Sequence, residues 1–489
     1  MTKLTANARR PPPQAGRNVS LVYSALGLLA IFYYLQFFID RYIDDAYITL
    51  SYAATLARSG VWGMSPDLVS NAATSPLNVI LLALTIRLVR NSMLALYLFN
   101  IFTTLLIYFN LRYFSVKSFG GQAFAILTTA LLVTNPLLTS TQGLESYLLI
   151  GLTLLACQLW DRQSYRLLGL SLSALFLTRP DALVVAFVMI LLLFGRKRWN
   201  DGLQTLGFFL APTLPWLIFA WYHLGSFFPD TLLIKRGEAS WGGYTFLRGP
   251  LFYWERCRIP VLLSVILAPG LIFLGNIRNS RRSLLLGLGS YAVIHFAFYS
   301  ALHVPPYHWY YAIEISTIVV LGAAGLYAAS PKFQPTTIFF LILVILFSAI
   351  VSLRPVLTDG IPAIATNWGT AQQYKQIALW INRNIPDKRI RLDGEIGTVQ
   401  YYTDADMIDY FTDRSPILNT LGKPHSALAD LLLRFNYRHL HTEDFSAIQY
   451  ELRRCKAGSA TEMTWTTSTP FNGTKDWCFS KLPHVSSPP

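Results

Sequence analysis

Apolar residues in this chain come in long blocks separated by short polar breaks. The first block, residues 20–39, has the ~20 residues a spanning helix needs. It lacks a small-residue cleavage site, so it reads as an anchor. Further blocks lie at roughly 77–89, 93–111, 121–139, 146–160, 167–178, 181–195, 203–222, 260–277, 283–301, 310–329 and 337–353. The block at 77–89 is short and carries Arg87, so it is either re-entrant or merged with its neighbour. Between the first two blocks the pattern changes. Ile43, Tyr47, Leu50, Ala54 and Ala57 recur at helical spacing over 43–58, which predicts an amphipathic helix lying in the membrane interface. Gly60, Gly63 and Pro66 end it, and Thr74-Ser75-Pro76-Leu77 opens the next helix with a capping hydroxyl and an early proline. After residue 354 the blocks stop. The polar remainder contains a helical stretch, Ala371–Asn384, and a strand-like one, Arg389–Leu392, enough for a small α/β domain. The expected fold is an all-α polytopic membrane protein of about 11–12 transmembrane helices, with a small C-terminal α/β domain. Its parts are a disordered tail (1–19), the transmembrane domain (20–354) and the C-terminal domain (355–489).

Composition supports a membrane protein. Charged residues make up 13% of the chain, against about 25% in a soluble one. The net charge of +14 does not point to nucleic acid, because the basic residues are dispersed among short loops rather than gathered into one patch. Asp161–Arg166, Arg196–Asp201 and Arg278–Arg282 fall on the cytosolic side by the positive-inside rule, with the basic, proline-rich N-terminus. The loops 39–75, 224–259 and 303–309 then fall outside, together with Gly143–Ser146, Arg179–Asp181 and the C-terminal domain. Glu145 joins them only if 77–89 does not cross, and that is the arrangement expected. Cys157 sits in an apolar run, and no pair among the four cysteines has metal-ligand spacing. Cys455 and Cys478 can form a disulfide if the C-terminal domain lies outside the cytosol.

The unusual polar residues collect on one face. Asp40, Asp44 and Asp45 follow the first span, where an acid is costly unless it lines a wet cavity. Asp44 and Asp45 point about 100° apart on a helix, so at most one can aim at a given reacting atom. A carboxylate there suits general-base work. Glu145 opens a span, and Arg179-Pro180-Asp181 breaks a long apolar stretch. Lys235 and Arg236 stand on the outer face against the charge bias, and an arginine or lysine so placed can hold a phosphate. The segment His303–Tyr311 brings His308 and Tyr310 into an aromatic cluster on which a sugar ring can stack. Each feature also has a plain structural explanation: helix-end charge, a hairpin turn, snorkelling, an aromatic belt. Asp393, Glu395 and Asp404 in the C-terminal domain read as turn residues rather than a metal site.

Taken in order, these motifs resemble the GT-C superfamily of integral membrane glycosyltransferases. They are an acidic pair, Thr74-Ser75-Pro76-Leu77, Gly143-Leu144-Glu145, Arg179-Pro180-Asp181, Phe228-Pro229-Asp230-Thr231 with Lys235, and His308-Trp309-Tyr310-Tyr311. The similarity is nearest to the terminal arabinofuranosyltransferase-like bacterial branch and extends to Asp393-Gly394-Glu395-Ile396-Gly397 in the C-terminal domain. It implies an inverting transfer of a sugar from polyprenyl phosphate to an envelope glycan, lipid or protein outside the cytosol. It makes Asp44 or Asp45 the catalytic base and Glu145 a second acid. Arg179, Lys235, His308 and Tyr310 become candidate contacts for donor phosphate or sugar. Some members bind a divalent cation and others do not, which makes Asp45 and Glu145 candidate ligands and leaves metal open. Ser70-Asn71-Ala72-Ala73 and Asn78 depart from the usual pattern, so the sugar need not be arabinose. Two other classes compete: a lipid-linked sugar flippase or transporter, and a non-catalytic envelope scaffold. The absence of an internal repeat argues against a transporter of two related halves.

Overall fold

The computed structural model describes residues 14–238, 240–277, 281–329, 334–385, 389–423, 426–443, 445, 448–456 and 461–482. Most of the basic tail (1–13) and loop residues 278–280 lie outside these, as does the side chain of Arg236. The first helix begins at Gln14, inside the stretch expected to be disordered, and ends in a 3₁₀ turn at Gln36–Phe38. Among the described residues, seven helices are long and apolar enough to cross a bilayer. They are Leu21–Phe38, Ser92–Phe119, Trp199–His223, Arg258–Asn276, Arg282–Leu302, His308–Ala329 and Gln334–Thr358. The shorter apolar helices Ala123–Thr134, Ser146–Asp161, Tyr165–Thr178 and Leu183–Gly195 pack among them.

The ends of the bundle can be told apart by their bonds. Tyr97, near the start of Ser92–Phe119, donates its hydroxyl to the Phe32 carbonyl at 3.0 Å, close to the end of the first helix. At the other end of that helix, Tyr113 and Lys117 both meet Asp161. The helix Pro76–Val89 packs along the amphipathic helix Asp44–Ser59. Its last residue leads straight into Ser92–Phe119, which starts at the end where the first span finishes, so it returns to that end and does not cross. Glu145 consequently stands at the same end as Asp45. Gly143 makes the approach: at φ +89° it sits where a Cβ would fall 2.7 Å from that of Ala46, a conformation and a distance that suit glycine alone.

The chain after Thr358 folds as an α/β domain. Its five-stranded sheet has the order Asp406–Ile408, Arg389–Leu392, Tyr450–Arg454, Gly473–Lys481, Met463–Thr469. The first two neighbours pair in parallel and the rest antiparallel from Tyr450 onward, while Arg389–Leu392 and Tyr450–Arg454 are again parallel. Helix Ala371–Asn384 starts from a capping box in which Thr370 and Gln373 satisfy each other's backbone N–H. It buries Tyr374, Ile377, Ala378 and Ile381, with Trp380 against Phe479 and Trp465. Cys455 and Cys478 form a disulfide with Cα atoms 5.0 Å apart.

Polar contacts, some buried and some at the edge of the seam, hold this domain to the bundle. Arg414 reaches Asp230 at 2.9 Å and donates to the Leu224 carbonyl at 2.7 Å, with both side chains almost fully buried. Asp40 accepts from Gln372 at 2.9 Å, Lys375 at 3.1 Å and the Tyr402 hydroxyl. Ser65 donates to Asp406 at 2.6 Å. A buried pair broken on one side leaves a bare charge that costs about 3–5 kcal/mol, whereas replacing both partners by apolar groups is often near neutral. Arg414→Ala should therefore lower the melting midpoint of the detergent-solubilised protein sharply. Combining Arg414→Met with Asp230→Leu should recover most of the loss, and no recovery would mean that the pair does more than cancel its own burial.

Candidate active site

A cavity of about 650 Å³ opens at the seam between bundle and C-terminal domain. The amphipathic helix begins at Asp44 because Ile43 is extended, at ψ 158°, so both acids fall in its first turn. Their side chains then diverge. Asp44 turns into the C-terminal domain and accepts backbone N–H bonds from Gly397 at 2.8 Å and Thr398 at 2.7 Å. The approach is close enough that a Cβ on Gly397 would lie 2.0 Å from the Asp44 carbonyl oxygen. Asp45 faces the cavity with its side chain 28% exposed, 3.7 Å from the Lys235 ammonium.

Lys235 rises from the helix Thr231–Glu238 into a cage of three rings. Its nitrogen is 4.6, 5.2 and 5.7 Å from the centres of Tyr307, Trp309 and Tyr310. Cation–π attraction holds it there, stronger for being partly desolvated. Tyr307 in turn donates to Glu238 at 2.7 Å. The opposite wall comes from the C-terminal domain. Glu395 sits in the left-handed region at φ 54°, where its carboxylate accepts from Asn367 Nδ2 at 2.8 Å and the Trp368 N–H at 3.3 Å. Asn367 also lies 3.5 Å from the Asp44 N–H, which links the two acids.

Behind the cage lies a second layer of charge. Arg179 is bound on three sides: Glu145 at 3.2 Å, Asp181 at 3.0 Å and the Tyr299 hydroxyl at 2.8 Å. Its guanidinium lies 5.4 Å from the Tyr310 ring, so it underpins the ring that Lys235 rests on. Asp181 continues to His295 Nε2 at 2.9 Å, and His295 Nδ1 to Glu314 at 2.7 Å.

Of the residues singled out in the sequence, Asp44, Asp45 and Lys235 line the cavity. Tyr310 supports it from below. Glu145 and Arg179 are paired with each other behind it, and Arg179 offers no open fork to a phosphate. His308 is fully buried against Trp309 and Tyr253, off the cavity wall. The reading of Glu395 as a turn residue is half right: it does occupy a turn conformation, but its carboxylate is cavity wall. His295 and Glu314 went unnoticed, although an ionisable side chain inside an apolar block is itself a signal. Asp45 and Glu145 do not fit a cation site. Each is already paired with a basic side chain, and among the described residues no group of three or more His, Cys, Asp or Glu is placed to hold a metal ion.

The membrane-crossing bundle, the helix after its first span and the C-terminal α/β domain closing on the cavity are an arrangement shared with solved membrane proteins. Over 94% of its length the chain is similar to ArnT from Cupriavidus metallidurans, solved bound to undecaprenyl phosphate, with a TM-score of 0.52, 14% identity and 97% of that protein covered. The apo state of ArnT gives a TM-score of 0.51 at 14% identity, covering 95% of this chain and 98% of that one. Arabinofuranosyltransferase AftD from mycobacteria gives 0.47 at 14% identity, covering 90% of this chain and 35% of the longer AftD. No sequence family and no curated protein matches the chain.

Burial displaces carboxyls at the seam upward from their ordinary range, Asp44, Glu395 and Asp409 among them. Burial takes Asp44 to about 6, opposed by the Thr398 N–H and reinforced by the Asp45 charge. Burial likewise takes Asp409 to about 7, and Glu395 well above its usual value, with Asp44 adding to both. A folded state with raised carboxyl values keeps protons that the unfolded chain releases. The contribution of Asp44 and Asp409 to stability is therefore fully present below about pH 4 and is lost as pH rises through about 6 and 7. Asp409→Asn keeps Oδ1 for the Phe411 and Thr412 N–H groups and removes the charge. The melting midpoint at about pH 8 should rise by a few degrees, and its decline between pH 4 and 7 should flatten. A variant less stable at every pH would show that this carboxylate is stabilising.

Proposed function

We infer that the protein is a membrane glycosyltransferase that moves a sugar from a polyprenyl-phosphate donor to an acceptor hydroxyl, with Asp45 as base. One observation carries the reading. Of the three acids after the first span, Asp40 and Asp44 are consumed in holding the C-terminal domain, while Asp45 makes no bond to that domain and meets Lys235 across the cavity. The cavity opens at one end of an apolar bundle, where a lipid-linked donor can lie with its chain in the bilayer. The undecaprenyl phosphate bound to ArnT, whose fold this chain shares, supports that donor class.

Burial raises Asp45, with Lys235 opposing and Glu145 adding to the rise, and a raised carboxylate is a better base near neutral pH. The donor phosphate competes with Asp45 for Lys235 and frees the carboxylate. Asp45 then takes the proton of the acceptor hydroxyl, whose oxygen attacks the anomeric carbon. The bond from that carbon to the phosphate oxygen breaks, and the lipid phosphate leaves with the electron pair, its charge met by Lys235. Attack opposite the leaving group inverts the anomeric centre. The acceptor is an envelope glycan, lipid or protein. The site lies on the extracytoplasmic face of the bacterial plasma membrane, supported by the disulfide and by basic residues at the other end: Lys117, Arg162, Arg166, Arg196, Lys197 and Arg198.

The two adjacent acids separate under substitution. Asp45→Asn should cut transfer from a panel of polyprenyl-phosphate sugars to envelope extract by about 10²–10⁴-fold, the usual worth of a general base. Its donor binding and melting midpoint should stay unchanged. Asp44→Asn trades one acceptor for a donor facing a backbone N–H, and should cost about 1–3 kcal/mol of stability. Full activity in Asp45→Asn would overturn the assignment. Translocation of the lipid-linked sugar in vesicles without transfer would replace the transferase with a flippase.

A further inference from the structure

The helix Ala427–Asn436 of the C-terminal domain has three unlike faces. Ala429, Leu433 and Asn436 are half-buried toward the protein, and Asn436 Oδ1 accepts from the Phe227 and Phe228 N–H groups at 2.9 and 3.3 Å. Asp430 and Arg434 pair with each other on the polar side at 2.8 Å. The third face is Leu428, Leu431, Leu432 and Phe435, at positions i, i+3, i+4 and i+7, with exposures of 67, 65, 58 and 50%. Ordinary domain surfaces do not carry a continuous stripe of this kind without an occupant.

Its attachment identifies the occupant. Trp221, in the last turn of the membrane-crossing helix Trp199–His223, donates its indole N–H to the Phe435 carbonyl at 2.9 Å. Its ring lies 4.8 Å from Phe227 in a parallel stack and 5.1 Å from Phe435. Tryptophan at the end of a span marks the headgroup level, so the helix is fixed at that level. Leu214, Ile218 and Tyr222 leave the crossing helix's exposed apolar side at 45, 52 and 54%, and that side runs up to the same tryptophan. The exposed Lys423 and Arg438 flank the short helix, as suits anionic headgroups.

The geometry points to a second membrane contact: Ala427–Asn436 is an interfacial helix whose leucine stripe enters the lipid of the leaflet at the site end of the bundle. Amphipathic helices of this kind bury their apolar face in the boundary between headgroups and acyl chains. The C-terminal domain is thereby seated on the bilayer as well as on the bundle, with its sheet held over the cavity. Lipid is the occupant because the stripe continues a surface already committed to lipid.

Site-directed spin labels on the full chain test this. In a Cys257→Ser background, single labels at Leu431→Cys, Leu432→Cys and Arg434→Cys fall on exposed positions that make no core contact. The protein is reconstituted in vesicles of phosphatidylethanolamine and phosphatidylglycerol. Labels at 431 and 432 should be relaxed several-fold more by oxygen than by a water-soluble nickel chelate, with the order reversed at 434. Nickel dominance at all three sites would overturn the proposal by leaving the stripe in water. Labels at 431 and 432 immobilised and shielded from both reagents would overturn it too, in favour of a protein partner or a second copy. These readouts do not depend on transfer activity.

Discussion

The site exists because one carboxylate in the membrane domain is satisfied by the backbone of another domain. Asp44 is buried at the head of the helix Asp44–Ser59, which is itself enclosed between the bundle and the C-terminal domain, and a bare charge there is expensive. Two N–H groups from the first turn of the helix Ile396–Tyr402 meet it, which holds the start of that helix over the bundle. Glu395 is the residue just before that helix. It takes a left-handed backbone and presents its carboxylate to the cavity through Asn367. The far wall of the site is thus a consequence of how the near wall balances its charge.

The charges are arranged in two layers with different freedom. Next to the cavity, Asp45 and Lys235 stand 3.7 Å apart, loose enough for a ligand to separate them. Beneath, Glu145, Arg179, Asp181, His295 and Glu314 are bonded in series at 2.7–3.2 Å. Pairing in a low-dielectric interior fixes geometry more dependably than it adds stability. The lower layer holds Tyr310 in position, and Tyr310 helps to hold Lys235.

Much of this was legible in the sequence, and the failures have physical causes. Long apolar blocks and positive loops fix crossing helices by composition, so the bundle and the separate C-terminal domain followed directly. Helix Ala371–Asn384 and strand Arg389–Leu392 matched their predicted bounds, because a capping box and alternation are local signals. Asp45 and Lys235 stood out as charges in costly places. Asp44 could not be told from Asp45, since their difference lies in a bond spanning 354 residues. Glu395 was set aside because Asp-Gly-Glu is ordinary turn chemistry, and only packing turns it toward a cavity. Arg179 drew notice for its fork, but its partners Tyr299 and Glu145 come from distant helices and fill that fork.

The separation between Asp44 and its backbone partners bears on how the protein is made. A chain threaded into the membrane from its N-terminus places the acidic doublet first and every crossing helix next. The residues that answer Asp44 emerge only after those helices. Until then the doublet faces water at the membrane surface, and the bundle is a complete but inert scaffold. Truncation ahead of Asn367 would leave an inserted protein without the far wall of the pocket. Assembly of the site therefore follows insertion of the helices that precede the C-terminal domain.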